Sequence, residues 1–165
     1  MIPIDLTDKV AVITGGGQGL GKATAQMLHQ AGASVVINFL DDAEGTGRRL
    51  ADETVSEFGE RALAVDADVR SRDDLQRMFA RVQSTFGNVD ILVNNAAILR
   101  DRTVKNMADS DWDSVIETNL SSVFKVSQTA LPFLNEGARI VNMASISGVM
   151  GFFGQANYAS AKAGV

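Results

Sequence analysis

The residues whose types and spacing are best suited to chemistry lie near the end of the sequence. Tyr158 and Lys162 are four positions apart in a segment typical of the start of a helix, so their side chains are expected on one helical face. A tyrosine hydroxyl has an ordinary pKa of about 10 and exchanges protons poorly at neutral pH, whereas an ammonium group within ~6 Å favours the phenolate. The pair is therefore predicted to be a proton donor and the cation that tunes it. Ser145, just after an apolar run, adds a hydroxyl that can bind a carbonyl oxygen.

A second group of residues has the composition of a phosphate-binding turn. A predicted strand at 10–14 leads into Gly15-Gly16-Gly17-Gln18-Gly19-Leu20-Gly21, and a helix is predicted to begin near Lys22. Glycines let a pyrophosphate approach the backbone, and a helix N-terminus offers unpaired N–H groups and a positive dipole end. The strict GxGxxG pattern is not met, because Leu20 stands where its third glycine would fall. The spacing Thr14-Gly15-x-x-x-Gly19-x-Gly21 nevertheless predicts a dinucleotide site, with a ligand-free strand-to-helix turn as the alternative.

The elements that must position these residues follow from the hydrophobic pattern. Five short runs rich in valine and isoleucine predict strands buried on both faces, at 10–14, 34–39, 61–65, 90–93 and 139–143. The segments between them carry apolar residues three and four positions apart, which is typical of amphipathic helices. Such alternation requires crossover helices on both faces of a parallel sheet. The predicted fold class is therefore α/β, a doubly wound parallel sheet with ligands bound beyond the carboxyl ends of its strands.

Composition and charge exclude several classes of function. The 165 residues are 45% hydrophobic and 21% charged, which predicts a single folded domain over 1–165 and argues against disorder. The formal net charge of −5, with acidic and basic residues interspersed, argues against a nucleic-acid partner. The sequence has no cysteine and only one histidine, His29, so no metal site is predicted. Neither a signal peptide nor a membrane span is indicated, and a cytoplasmic location is the expectation.

Further short motifs follow the glycine turn in a fixed order. They are Asp68-Val69, Asn94-Asn95-Ala96-Ala97, Asn119, Ser145 and Tyr158-Ala159-Ser160-Ala161-Lys162. Together with the glycine turn, this series resembles the short-chain dehydrogenase/reductase family over essentially the whole sequence. One departure is that the family's usual Asn-Asn-Ala-Gly ends here in Ala97. The resemblance implies an NAD(P)-binding fold of the Rossmann type with strand order 3-2-1-4-5, truncated before the last two strands.

The resemblance implies a cofactor site that extends from the glycine turn to the catalytic pair. Asp68 and Val69 would hold the adenine ring, and Asn94 would support the central sheet. An acid at the end of the second strand would bind the ribose of NAD, whereas a basic residue would favour the phosphate of NADP. Phe39 and Gln18 stand at the two discriminating positions and provide neither charge, which leaves a slight preference for NADP(H) over NAD(H). The implied cofactor-binding residues are Thr14, Gly15, Gly17, Gln18, Gly19, Leu20, Gly21, Phe39, Asp68, Val69, Asn94, Ala96, Tyr158 and Lys162.

Four residues are implied to be catalytic: Asn119, Ser145, Tyr158 and Lys162. Hydride comes from the cofactor, Ser145 would bind the substrate carbonyl and Tyr158 would supply the proton. Lys162 would tune Tyr158 and hold the nicotinamide ribose. Asn119, on a predicted helix that contains residues 120–131, would position a water in a proton relay to Lys162.

Two segments resemble 3-oxoacyl-[acyl-carrier-protein] reductases and acetoacetyl-CoA reductases, namely Ile98-Leu99-Arg100-Asp101 and Gly154-Gln155-Ala156-Asn157-Tyr158. They imply a small or carrier-bound acyl thioester as substrate and a homo-oligomer, a tetramer or dimer, as the full-length form. A sugar or polyol dehydrogenase is the alternative enzyme. Because family members continue beyond the position of Val165, the domain is expected to be incomplete at its C-terminus and its strand 139–143 to be an unpaired edge. A nucleotide-binding fragment without turnover is therefore a further alternative.

Overall fold

A five-stranded parallel sheet is the central feature of the computed structural model, which describes residues 4–165. The strands lie in the order β3-β2-β1-β4-β5, and each neighbouring pair is parallel. This result confirms the predicted fold class and strand order. The strands are β1 (Val10–Ile13), β2 (Ser34–Phe39), β3 (Ala62–Asp66), β4 (Val89–Asn94) and β5 (Leu134–Asn142).

Helices connect the strands and cover both faces of the sheet. α1 and α2 contribute Ala25 and Ala51 to a core layer on one face, while α3 and α5 contribute Phe79 and Val126 to a layer on the other. None of the helices within residues 4–165 has the length and apolar character needed to cross a bilayer. The helices are α1 (Gly19–Gln30), α2 (Thr46–Phe58), α3 (Arg72–Phe86), α4 (Asp109–Ile116), α5 (Ser122–Ala130), α6 (Ser147–Met150) and α7 (Ala156–Gly164).

The two core layers result from the alternation of side chains along the central strands. In β1, Val12 faces the layer of α3 and α5, whereas Ala11 and Ile13 face the layer of α1 and α2. All residues of β1 are buried, as are Leu75, Met78, Phe79 and Val82, which are spaced three and four positions apart or adjacent along α3. Burying a valine or isoleucine side chain of this kind contributes roughly 1.5–3 kcal/mol. The packed centre of the sheet therefore holds in place the carboxyl ends of the strands, where the candidate site lies.

The last strand departs from prediction in length and in burial. β5 begins at Leu134, five positions before the predicted start at 139, and most of its residues are exposed. The prediction that it is buried on both faces is wrong, because β5 pairs only with β4 in the described residues and forms an edge of the sheet. That edge was itself expected from the sequence. The remaining strand boundaries differ from prediction by at most one residue, and those of β2 match it, which is within the usual uncertainty of element ends.

Candidate functional site

The turn between β1 and α1 has the properties of an anion site. α1 begins at Gly19, three residues before the predicted start near Lys22, so its first turn contains the last glycines of the motif. Its N-cap residue, Gln18, makes no side-chain capping hydrogen bond, and its first turn contains no acidic residue. The first N–H groups of a helix have no partner within the helix. They are therefore available to phosphate oxygens, and the positive end of the helix dipole favours such ligands.

Two glycines of this turn are required for different reasons. Gly19 has a φ of +54°, which favours glycine, and a Cβ placed there would meet no atom within 4 Å. Gly21 packs so closely that a Cβ would lie 2.3 Å from the carbonyl oxygen of Gly15. Gly19 thus leaves open space at the helix start, while Gly21 lets the helix approach the strand end. Both features fit a pyrophosphate close to the backbone.

Thr14 holds the ends of β1 and β4 together. Its hydroxyl oxygen accepts hydrogen bonds from the backbone N–H groups of Asn95 (2.9 Å) and Ala96 (3.0 Å), and its hydroxyl donates to the carbonyl of Val93. The Asn95 amide donates in turn to the carbonyls of Thr14 and Gly15. Thr14 is only 2% exposed. The structure therefore places Thr14 as a buried connection between the glycine turn and the loop after β4.

Asn38 supports the site from below, and the sequence reasoning missed it. It is buried near the end of β2, where its Nδ2 donates to the carbonyl of Ala67 (2.9 Å) and more weakly to that of Phe39. Its Oδ1 accepts a long hydrogen bond of 3.4 Å from the N–H of Gly15. One side chain thus joins the ends of three strands beneath the glycine turn. An asparagine inside an apolar strand was the available signal, because a buried amide must find partners.

A groove crosses the carboxyl ends of the strands in two connected clefts that share Gly15, Gln18 and the residues 96–98. A cleft of about 360 Å³ is lined by the glycine turn on one side and by Tyr158 and Lys162 on the other. A cleft of about 500 Å³ extends past Asp68 and Val69. A broader depression of about 730 Å³ lies along α2 and contains none of the predicted site residues. The groove lies at the carboxyl ends of the parallel strands, which is where dinucleotides bind in folds of this type.

The predicted adenine residues lie at the far end of this groove. Val69 is largely buried in the core layer of α3, and Asp68 is ion-paired with Arg70 at 2.6 Å. Hydrogen bonds from the Arg70 side chain hold the pKa of Asp68 below its ordinary value. Asp68 is therefore held as a carboxylate at the rim of the cleft, where it can accept hydrogen bonds.

A cation from α2, Arg48, lies beside the end of β2, and the sequence motifs gave no indication of it. Phe39 is buried and, with Gly17 and Gln18, lines a small pocket of about 110 Å³. The guanidinium carbon of Arg48 lies 5.3 Å from the centre of the Phe39 ring. Arg48 pairs with Asp41 at 3.3 Å and with Asp66 at 3.6 Å, and its side chain is 56% exposed. An exposed positive charge therefore lies beside Phe39, one of the two positions predicted to discriminate between the cofactors.

The Tyr158–Lys162 pair lies on one face of α7, as the spacing predicted. The Lys162 Nζ atom lies 5.8 Å from the centre of the Tyr158 ring and donates a 2.6 Å hydrogen bond to the carbonyl of Met143. Lys162 is 6% exposed, and this burial lowers its pKa. The carbonyl of Met143, just after β5, thus anchors the ammonium group at the 360 Å³ cleft.

Ser145 lies three residues beyond the end of β5, at the same end of the sheet as Tyr158. Its hydroxyl oxygen accepts a hydrogen bond of 3.2 Å from the N–H of Ser147. The residues of this segment that line the cleft are Met143 and Ala144, so Ser145 stands next to the cleft lining. Because the bond to Ser147 uses an acceptor lone pair, the hydroxyl hydrogen can still be donated to another oxygen.

Asn119 occupies a different local structure from the one predicted. It lies in a π-helical turn (Glu117–Ser121) between α4 and α5, whereas a continuous helix was expected. Its side chain is buried and bonds to the backbone of Ile98 from both ends, accepting from the N–H at 2.8 Å and donating to the carbonyl at 2.9 Å. The carboxamide therefore holds the loop after β4. Turns of this type occur often at functional sites.

Asn94 connects the two strands nearest the catalytic pair. Its Nδ2 donates to Oδ1 of Asn142 at 2.8 Å and to the hydroxyl of Ser127 at 3.0 Å. Its buried Oδ1 has no hydrogen-bond partner in the described residues. The side chain thus ties β4 to β5 and to α5, which fits a supporting role beside the groove.

Comparison with known proteins agrees with this geometry. Residues 9–165 match the family model described as short chain dehydrogenase. The chain is 40% identical over 162 residues to the 3-oxoacyl-[acyl-carrier-protein] reductase of Synechocystis and equally to nodulation protein G of Azospirillum brasilense. Each alignment covers 97% of this chain and 65% of the relative, so the chain spans about two thirds of the length of these relatives.

A solved structure is similar across the same region. The Brucella melitensis protein, described as a short-chain dehydrogenase/reductase and glucose/ribitol dehydrogenase, superimposes with a TM-score of 0.91 at 32% identity. The match covers 98% of this chain and 67% of the Brucella chain. The family model, the relatives and the shared fold lead to one conclusion: this chain belongs to the short-chain dehydrogenase family.

Proposed function

We propose that the protein is an NADPH-dependent reductase that transfers hydride to the 3-keto group of an acyl thioester. The observation that carries this proposal is the continuous groove, which brings the uncapped start of α1 and the Tyr158–Lys162 pair to the same cleft. Nucleotide binding and proton transfer are thus adjacent at the carboxyl edge of the sheet. The name of the Synechocystis relative supports the thioester substrate.

The residues present fit a nicotinamide dinucleotide. The N–H groups at the start of α1 and the open space at Gly19 would accommodate the pyrophosphate. The cleft beside Asp68 and Val69 would take the adenine, and the cleft beside Tyr158 the nicotinamide. When bound, the reduced cofactor supplies the hydride.

The chain's own residues provide the proton and the orientation. Tyr158 donates its hydroxyl proton to the carbonyl oxygen as hydride is added to the carbonyl carbon, so that ketone, hydride and proton give the alcohol. Lys162, held by the carbonyl of Met143, places its ammonium group 5.8 Å from the centre of the tyrosine ring. Ser145 donates its free hydroxyl hydrogen to the same carbonyl oxygen. Since the Asn119 carboxamide is engaged by Ile98, we assign the water of the relay to the Asn119 backbone carbonyl.

The cofactor preference within this proposal is NADPH. Arg48 lies beside the small pocket at Phe39, and its ion pairs with Asp41 and Asp66 are exposed. Exposed ion pairs contribute about 0–1 kcal/mol, so the guanidinium can exchange them for a phosphate. We also propose that the full-length protein assembles as a tetramer or dimer, which the exposed Phe124 and Leu131 at α5 support.

A polyol dehydrogenase is the second candidate, favoured by the name of the Brucella structure. The deciding assay follows NADPH oxidation with acetoacetyl-CoA, and NADP⁺ or NAD⁺ reduction with ribitol and glucose, using the complete gene product. We expect turnover of acetoacetyl-CoA. Tyr158→Phe, which keeps the ring but removes the proton donor, should lower that turnover by roughly 10² to 10⁴ with cofactor affinity nearly unchanged. Equal turnover by the two proteins would refute the mechanism, and turnover of ribitol or glucose alone would favour the second candidate.

A further inference from the structure

Asn157 precedes the proposed proton donor in the chain, and the proposed reaction assigns it no role. It is fully buried, with a relative exposure of 0%, whereas Tyr158 is partly exposed at the cleft. Its carboxamide makes three hydrogen bonds to three different segments of the backbone. An amide in that situation has a large influence on where those segments lie relative to one another.

The oxygen of this carboxamide acts on the helix that carries Tyr158. α7 begins at Ala156, and its N-cap residue, Gln155, makes no side-chain capping hydrogen bond. The N–H of Tyr158 lies in the first turn, where backbone donors have no helical partner. The Oδ1 of Asn157 accepts this N–H at 2.8 Å. Asn157 therefore satisfies one of the unpaired backbone donors in the first turn of α7.

The nitrogen of the same carboxamide fixes this turn to its surroundings. Nδ2 donates to the carbonyl of Arg100 at 2.9 Å, in the loop after β4, and to the carbonyl of Asp111 at 3.1 Å, in α4. The loop after β4 also lines the cleft through Ile98 and Leu99. One side chain thus connects the proton donor, the cleft loop and α4.

Neighbouring contacts hold the segment but do not act on Tyr158 directly. The N–H of Arg102 donates to the carbonyl of Gly154 at 2.8 Å, and Nε2 of Gln155 donates to Asp101 at 2.9 Å. These bonds align the two segments along their length. Only the Asn157 carboxamide, among these contacts, includes a backbone group of Tyr158 itself.

We propose that Asn157 is a positioning residue for Tyr158. The Asn157 carboxamide fixes the start of α7 against the loop after β4 and against α4, and it thereby sets the position of the tyrosine hydroxyl at the cleft. The proposal rests on the proposed function, in which Tyr158 is the proton donor. Misplacement of a reacting group by about 1 Å can lower a rate by about 10²-fold. A change at Asn157 should therefore act mainly on kcat and leave cofactor affinity nearly intact, because most of the proposed cofactor contacts lie at the glycine turn and in the cleft beside Asp68.

The test variant is Asn157→Asp, which keeps the size of the side chain and an acceptor for the Tyr158 N–H but removes both N–H donors. In the complete gene product, with NADPH and acetoacetyl-CoA, we expect kcat to fall roughly 10- to 100-fold, and KM for acetoacetyl-CoA and Kd for NADPH to change less than about threefold. Asn135→Asp, at an exposed asparagine away from α7, is the matched control and should leave kcat unchanged. Asn157→Ser, whose hydroxyl can accept one bond and donate one, should show a smaller loss and serves if the aspartate variant does not fold.

A double-mutant cycle separates positioning from general damage. If Asn157 acts through Tyr158, the substitution at Asn157 should have little further effect on the residual turnover of the Tyr158→Phe protein. Equal fractional losses in both backgrounds, or an unchanged kcat in folded Asn157→Asp and Asn157→Ser, would overturn the inference. An unchanged kcat in Tyr158→Phe alone would instead overturn the proposed function, so the two failures can be told apart.

Discussion

Two regions at the same edge of the sheet are built in opposite ways. The first comprises the carboxyl ends of β1, β2 and β4, and the second is the segment after β5. The first region is held by polar side chains that bond to backbone groups of neighbouring segments, namely the buried Thr14 and Asn38 and the half-buried Asn95. The second region exposes large apolar side chains, such as Val149 and Phe153, with relative exposures of 83% and 93%. The glycine-turn end of the groove is thus organised in advance by polar side chains of this chain, whereas the apolar surface of the segment after β5 is uncovered in the described residues.

The largest expected effect is at Gly21 in the nucleotide region. Gly21→Val would place a Cβ 2.3 Å from the Gly15 carbonyl oxygen, so the turn must open or the helix must move. We expect the free energy of unfolding to fall by about 3 kcal/mol or more, as overpacking of a rigid contact does, and NADPH binding to be lost. Urea melts and cofactor titration measure both effects. Gly17→Ala is the control for stability, because its Cβ would make ordinary contacts of 3.4 Å or more; equal losses for the two variants would contradict the argument.

A somewhat smaller effect is expected at Asn38. Asn38→Leu keeps the volume but leaves the carbonyl of Ala67 and the N–H of Gly15 without their partner. Buried groups left unsatisfied cost about 1–3 kcal/mol, so we expect a loss of about 2 kcal/mol in chemical denaturation. Asn135→Leu, at an exposed asparagine that bonds to Asp90, should cost about 0.5 kcal/mol or less. If Asn38→Leu proves as mild as its control, the buried network does not organise this region.

The choice of cofactor gives an intermediate effect. Arg48→Gln should weaken NADPH binding about tenfold, equivalent to about 1.4 kcal/mol, and leave NADH binding unchanged, since only NADPH carries the phosphate that the guanidinium can bind. Equilibrium titration by cofactor fluorescence gives both constants. Arg49→Gln, one residue further along α2 and paired with Glu53, is the matched control. Tighter binding of NADH than NADPH by the unchanged protein would refute the preference.

Lys162 lies where the two regions meet, and its effect depends on pH. Because burial lowers its pKa below the ordinary value of 10.5, the unfolded chain binds this proton more tightly than the folded chain. Stability should therefore rise with pH between the lowered pKa and 10.5, and the full cost of the buried ammonium is present below that window. Lys162→Met should flatten this rise in stability with pH. Near pH 7 the substitution should change the free energy of unfolding by under about 1 kcal/mol, because the loss of the hydrogen bond to Met143 offsets the removal of a buried ammonium group. Urea melts from about pH 7 to about 10 provide the test, with Lys105→Met as the control. If the free energies of unfolding of Lys162→Met and of the unchanged protein rise in parallel with pH, the prediction is wrong.

The smallest effect is expected on the exposed surface. Phe153→Ser should change the stability of the 165-residue chain by about 0.5 kcal/mol or less, because the ring is almost fully exposed. The same substitution in the complete gene product shows whether the ring is covered there. A large loss in the 165-residue chain would mean that Phe153 packs in solution and that the contrast between the regions is smaller than the structure indicates.

Much of the fold and part of the site could be predicted from sequence because they depend on local patterns. The valine and isoleucine runs gave the sheet, and four-residue spacing placed Tyr158 and Lys162 on one face of α7. The start of α1 was predicted three residues late, because glycines are poor helix formers and the phosphate turn extends into the helix.

The amide network could not be predicted in the same way. The partners of Asn38 and Asn119 are backbone groups far away in sequence, at Ala67 and Ile98, that only the topology brings near. The π-helical turn at Asn119 has no marker in residue type or periodicity. β5 was predicted too short because Asn135, Glu136 and Gly137 lack strand character and pair only through their position beside β4.

The Thr14 hydroxyl has a consequence for how this site fluctuates. It accepts the N–H groups of Asn95 and Ala96, which belong to a loop, from within the buried end of β1. Amide hydrogens in loops commonly exchange with solvent through small local openings, whereas those in central strands exchange only when the core opens. The amides of Asn95 and Ala96 should therefore exchange as slowly as those of β1, although they stand at the groove. The base of the groove would then stay rigid as a ligand enters, and any opening needed for its passage would come from the wall that contains Tyr158 and Lys162.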